Sequence, residues 1–128
     1  MYSPASLMPY STEYGFKRAF ITVEFLSEDG RWIPVKMQID TAADVTVLPY
    51  DLAMKLTFLS IQMPLYVGEV VGSIAAMKTS VRARILEKTV ELPIIASMHV
   101  MDPLLGIGGF LDNFEVTFTP KGFRVVPV

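Results

Sequence analysis

The chain of 128 residues contains no cysteine, which excludes disulfides, thiolate nucleophiles, iron–sulfur clusters and cysteine–zinc sites. It has a single histidine, His99, so no multi-histidine metal site can form within one chain. His99 sits in the run SMHVMD near Asp102, where it can supply at most one ligand pair, or serve as a surface or capping side chain. The single asparagine, Asn113, lies in no N-x-S/T sequon. Charge is sparse: 11 basic and 13 acidic residues are spread along the chain, and no basic cluster exists to follow a phosphate backbone. Nucleic acid is therefore not an expected partner. Long hydrophobic runs are also missing. The most membrane-like window, Leu56 to Met77, is broken by Gln62, Pro64, Gly68, Glu69 and Gly72, whereas a spanning helix needs about 20 predominantly apolar residues. No membrane partner is expected. The N-terminal stretch MYSPASLMPYSTEYGFKR lacks the basic start and apolar run of a signal peptide, so the expected compartment is cytoplasmic.

What is present is apolar. Hydrophobic residues make up 52% of the sequence, high for a chain short enough to form only one domain. A buried subunit interface would account for the excess. Residues 1–17 carry Tyr, Pro and Ser without any period and read as an N-terminal arm; residues 18–128 read as the folded domain. Arg18 to Leu26 and Trp32 to Ile39, separated by Ser27-Glu28-Asp29-Gly30, predict a β-hairpin. Val45 to Val47 is a short β-branched run, and Pro49 can open a helical turn through Leu56. Leu65 to Val67, Thr79 to Ile85 and Thr89 to Ile95 are strand-like, and Pro103 to Leu111 suits a buried loop with a short helix. Phe114 to Phe118 and Phe123 to Pro127 predict strands around a Pro120-Lys121-Gly122 turn. Short strands with frequent turn signals make the class mainly β, a small barrel or sandwich with one or two short helices. Val35 to Leu56 and Val90 to Leu111 also share the order strand, loop, apolar turn, a faint internal repeat.

The chemically informative segment is Ile39-Asp40-Thr41-Ala42-Ala43-Asp44-Val45-Thr46-Val47-Leu48-Pro49. A carboxylate leaves an apolar strand directly into a loop of small residues. Desolvation there is costly unless donors satisfy it. Asp40 can simply cap the following turn through nearby backbone N–H groups, as Asp does at strand–loop junctions. Gly106-Ile107-Gly108-Gly109 is not a nucleotide loop, because Leu111 stands where the last glycine of G-x-G-x-x-G belongs.

These residues resemble a family. Asp40 to Pro49 is similar to the Asp-Thr-Gly-Ala-Asp-x-Thr-Val-Leu-Pro signature of retropepsin-like aspartic proteases. Leu104-Leu105-Gly106 followed by Phe110-Leu111 resembles that family's second apolar segment, on which the active-site loop rests. The resemblance spans Arg18 to Val128 and implies a small closed β-barrel of the retropepsin-like acid protease type. It further implies a cofactor-free, metal-free aspartic endopeptidase acting on peptide or protein substrates. Such hydrolysis needs two carboxylates sharing a proton. Of the six aspartates only Asp40 is followed by Thr or Ser, so one chain supplies half a site and a homodimer the whole. By resemblance Asp40 is catalytic, and Thr41 locks the two loops together across the dyad, though it can also be an ordinary turn threonine. Ala42 and Ala43 support the loop, with Ala43 lining the cleft. Asp44 meets the backbone of a bound peptide, or is a solvated loop charge. Gly68 to Ile74, GEVVGSI, resembles a flap whose Gly68, Val70, Val71, Gly72 and Ile74 close over substrate; a plain hairpin with glycine bends is the other reading. Phe123 to Val128 would join an intersubunit sheet.

Two departures stand out. Ala42 occupies the position of the family's usual glycine, and a methyl there is expected to crowd the loop and the substrate path. Ile107-Gly108-Gly109 stands where many relatives place the arginine that neutralises the carboxylate matching Asp44. Asp44 must then pair with Arg18 or Lys17, or stay solvated. The alternative to a protease is a catalytically silent dimerisation or peptide-binding module of the same fold.

Overall fold

Alternation of apolar and polar residues builds the first two elements of the computed structural model, which describes residues 6–57, 63–66, 74–98 and 100–128. Strand β1 (Phe20–Leu26) turns its Ile21, Val23 and Phe25 inward, and β2 (Trp32–Ile39) does the same with Val35, Met37 and Ile39. The two pair antiparallel in the hairpin expected from the sequence, from Phe20 opposite Gln38 to Leu26 opposite Trp32. Beyond them come β3 (Thr46–Pro49), helix α1 (Tyr50–Thr57), β4 (Met63–Tyr66), β5 (Ile74–Ile85), β6 (Lys88–Ser97), β7 (Leu104–Leu105), β8 (Phe114–Thr119) and β9 (Gly122–Pro127). The mainly β reading holds, with one helix among the described residues. Pro103 to Leu111 departs from expectation. It forms the two-residue β7 and then successive turns rather than a short helix, and Gly109 within it has a left-handed φ of +75° that a right-handed helix does not accommodate.

The strands run in the order β1-β2-β7-β3-β6-β5, and β5 pairs back onto β1 through Glu24–Arg84 and Phe25–Ala83. The ladder therefore returns to its starting strand, with β4 attached outside β5. Two of its pairings are parallel: β2 with β7, and β3 with β6. Exchanging β2 for β6 and β7 for β3 maps one onto the other, so the faint repeat in the sequence has a counterpart in the topology. Inside lie Phe25, Met37, Leu48, Leu92, Ile94 and Leu105, all fully enclosed. Ala53 and Leu56 seat α1 on the same core, and Phe110, Phe114 and Phe123 extend it under the β8–β9 hairpin.

The segment read as an arm is tied to this hairpin. Met8 and Phe123 exchange backbone hydrogen bonds of 2.7 and 2.9 Å. Tyr10 stacks on Phe123 with ring centroids 5.7 Å apart, and its hydroxyl donates to the Thr119 carbonyl at 2.7 Å. Ser11 and Arg18 pair in turn, which leads the chain back into β1. Among the described residues no helix is long and apolar enough to cross a membrane.

Two features of the barrel wall give measurable expectations. The β5–β6 connection is the two-residue loop Leu86-Glu87, and both residues have positive φ, 47° and 69°. That is the geometry of a type I′ turn, for which Asn-Gly is the preferred pair. The double substitution Leu86→Asn, Glu87→Gly should raise stability by about 1 kcal/mol, read as a higher denaturant midpoint at constant slope.

The second expectation concerns acid. Arg84 donates to Glu24 through both Nε and Nη2, at 3.1 and 3.0 Å, while its guanidinium lies 4.4 Å over Trp32. The bond to Arg84 holds the Glu24 carboxyl below its ordinary 4.5, the bond from Ser80 does the same for Glu91, and the bond from Ser27 lowers Asp29 from 3.8. Groups with lowered folded values add stability above their unfolded values and lose it as pH falls through the folded ones. The melting temperature should therefore begin to fall as the pH drops below about 4.5 and keep falling under further acidification. Glu24→Gln should flatten part of that slope.

Candidate active site

Ile39 ends β2 in the core beside Leu105, and Asp40 is the first residue out of the sheet. Its own N–H donates to the Leu105 carbonyl at 2.9 Å. Its carbonyl accepts from Ala43 N–H at 3.2 Å, closing a turn, and its Oδ1 accepts from Ala42 N–H at 3.0 Å. The capping role read from the sequence is thus present, and it uses one carboxylate oxygen. The other, Oδ2, accepts no hydrogen bond among the described residues. Asp40 is half-buried, and Thr41, Ala42 and Asp44 are exposed while Ala43 is half-buried. Asp40 to Asp44 therefore form one continuous small-residue rim around a half-satisfied carboxylate.

The rim rests on Leu105 to Gly108. Besides the bond from Asp40 to Leu105, Ile107 N–H donates to the Ala43 carbonyl at 2.9 Å, and Gly108 N–H to the Asp44 carbonyl at 2.8 Å. Gly106 N–H donates to Thr46 Oγ1 at 3.3 Å, and Thr46 is fully buried. Such close approach needs glycine. A Cβ on Gly106 would stand 2.2 Å from the Val45 carbonyl oxygen and 2.9 Å from that of Ala43. Thr46 was present in the sequence only as part of a motif. The signal that could have singled it out is a hydroxyl between two valines at the inward-facing parity it shares with Leu48.

Ala42 behaves differently from expectation. Among the described non-glycine residues, positive φ occurs at Leu86 and Glu87 and not at Ala42. The position therefore does not demand glycine for its backbone dihedral, and Ala42 is exposed. Asp44 has no ion pair among the described residues. The two cations considered for it are engaged elsewhere: Lys17 Nζ donates to the Pro120 carbonyl at 2.7 Å, and Arg18 lies 5.1 Å over the Tyr14 ring. The solvated reading is the one the geometry fits. Gly68, Val70, Val71 and Gly72, and His99 as well, lie outside the described residues; Ile74 opens β5, where its backbone pairs with Tyr66. A cavity of about 310 Å³ reaches Gln38 and Ile39 between Tyr10, Lys17 and Pro120, but stops short of Asp40.

Among solved structures, the chain is similar to a retropepsin-like aspartic protease from Rickettsia conorii. The match has a TM-score of 0.65 and 16% identity, and covers 98% of this chain and 100% of that one. It is also similar to EIAV protease complexed with the inhibitor HBY-793, at a TM-score of 0.46 and 19% identity over 75% of this chain and 88% of that one. No family model and no curated protein matches the sequence. The first of the two structures fixes the architecture.

Proposed function

Starting from a chain that has the retropepsin-like fold, we propose that it is an aspartic endopeptidase active as a homodimer, with Asp40 of each copy at the two-fold axis. The observation that carries this reading is the Asp40 carboxylate itself. It is half-buried at a strand end, with Oδ1 held by Ala42 N–H and Oδ2 left for chemistry. Two such groups brought together oppose each other's ionisation, so the working pair shares one proton between its carboxylates. The ionised carboxylate takes a proton from water while the water oxygen attacks the scissile carbonyl carbon. The protonated carboxyl gives its hydrogen to the carbonyl oxygen. Return of a proton to the amide nitrogen then lets the C–N bond break, and the dyad regains its single proton. An acidic optimum follows, bounded below by the loss of barrel stability described above.

Thr41, exposed beside Asp40, has a hydroxyl available to bond across the axis. Ala43 would line the cleft, and the flap that the resemblance assigns to Gly68, Val70, Val71, Gly72 and Ile74 would close over it. Exposed apolar side chains on the terminal segments, Leu7, Phe16, Phe118 and Val128, supply surface for a second copy. Sedimentation of the full chain combined with peptide-library cleavage from acid to neutral pH tests the proposal, with Asp40→Asn as control. A dimer whose cleavage depends on Asp40 is the expected result; a monomer, or cleavage that survives the substitution, removes it.

One observation favours a second reading, a silent peptide-binding module. Ala42 projects a methyl from the exposed rim, where a substrate backbone would approach. Ala42→Gly separates the two. Activity that appears only in the glycine variant makes the natural chain the silent form.

A further inference from the structure

Asp44 is an exposed carboxylate beside the Asp40 loop, and among the described residues it forms no ion pair. The segment whose backbone clasps it, Ile107-Gly108-Gly109, carries no charge. Lys17 and Arg18 are committed to Pro120 and Tyr14, and Arg31, Arg82 and Arg84 to other carboxylates. Yet the residue is not loosely placed. Its carbonyl accepts from Gly108 N–H at 2.8 Å and that of its neighbour Ala43 from Ile107 N–H at 2.9 Å. In water such a charge is satisfied by solvent. A peptide laid across Asp40 strips part of that solvent away, and the loss is uncompensated unless the peptide brings a cation.

We infer that Asp44 selects substrates bearing a lysine or arginine side chain close to the bond to be cut. The inference rests on the reading of Asp40 to Asp44 as a peptide site. In a two-fold dimer one Asp44 lies on each side of the dyad, so the preference holds on both sides of the scissile bond. A neutral residue at that position leaves the carboxylate partly desolvated, and a glutamate adds repulsion. The expected discrimination is about two- to fivefold in kcat/KM for Lys over Gln, the upper range of an exposed ion pair.

The test uses the full-length chain and a fluorescent peptide series differing only by Lys, Gln or Glu at one flanking position. Each peptide is read twice, by cleavage and by anisotropy of binding to the Asp40→Asn dimer. The quantity followed is the Lys-to-Gln ratio rather than the absolute rate. Asp44→Asn should bring that ratio to about one, Asp44→Lys should invert it in favour of Glu, and about 1 M salt should shrink it in the natural chain. A ratio near one in the natural chain, or one unchanged by Asp44→Asn, overturns the inference. So does an Asp44→Asn chain that dissociates into monomers while keeping its preference, since Asp44 is then a contact between copies. Peptides that bind with the Lys preference but are never cut leave the inference standing and remove the protease reading. Peptides that neither bind nor are cut remove both.

Discussion

Gly106→Ala is expected to cost about 3 kcal/mol or more and to abolish any activity that depends on Asp40. The added methyl would meet the Val45 carbonyl oxygen at 2.2 Å and its carbon at 2.3 Å, and both are backbone atoms with no rotamer to retreat into. Relief requires moving β7 away from the Asp40 loop. That motion stretches the Gly106–Thr46 bond and the bonds from Asp40, Ile107 and Gly108 that hold the rim. Gly30→Ala is the contrasting control. Its φ is +84°, but nothing lies within 4 Å, so only the backbone preference is lost, about 1 kcal/mol. Chemical denaturation of both variants beside the natural chain reads the difference. Equal losses at the two sites would mean that the 104–108 segment does not clamp the loop.

Asp40→Asn is expected to lower peptide cleavage by about 10³-fold or more while leaving the melting temperature near that of the natural chain. Asparagine has the shape of aspartate, and its Oδ1 can still accept from Ala42 N–H, so the turn survives. What it lacks is an oxygen that can give up or receive a proton. In the proposed homodimer both halves of the dyad change at once. Asp40→Ala should do two things where Asn does one: it removes the chemistry and also orphans the Ala42 N–H. Similar inactivity with dissimilar stability in the two variants would show that the chemical role of Asp40 is separable from its cap on the turn.

How much of this was legible in the sequence follows from the range of the interactions involved. The β1–β2 and β8–β9 hairpins are local, and alternation with polar turns announced both to within a residue or two. Helix α1 was legible from Pro49 and the apolar positions behind it. The Asp40 loop was legible as a motif, and its cap as a local habit of aspartate. Not legible was the shape of Pro103 to Leu111, where an apolar, glycine-rich run reads as readily as a helix as it does a strand. The left-handed backbone of Gly109, at φ +75°, interrupts a helix there, and a glycine in a sequence does not say whether it will adopt that conformation. The ordinary φ of Ala42 was hidden for the same reason. Whether a loop position needs glycine depends on its dihedral angles, which no single residue type reveals. Nor could sequence show that Tyr10 stacks on Phe123, a contact across most of the chain that ties the N-terminal segment to the β8–β9 hairpin.

The clasp between Thr46 and Gly106 spans 60 residues of sequence, and β7 enters the ladder between two strands laid down long before it. Closing so long a loop costs entropy before any contact repays it, and chains rich in such distant pairings fold slowly. The loop bearing Asp40 therefore takes its clasped shape only once residues 104–108, about 60 residues further along the chain, have joined it. During synthesis the nascent polypeptide holds the carboxylate but not the geometry.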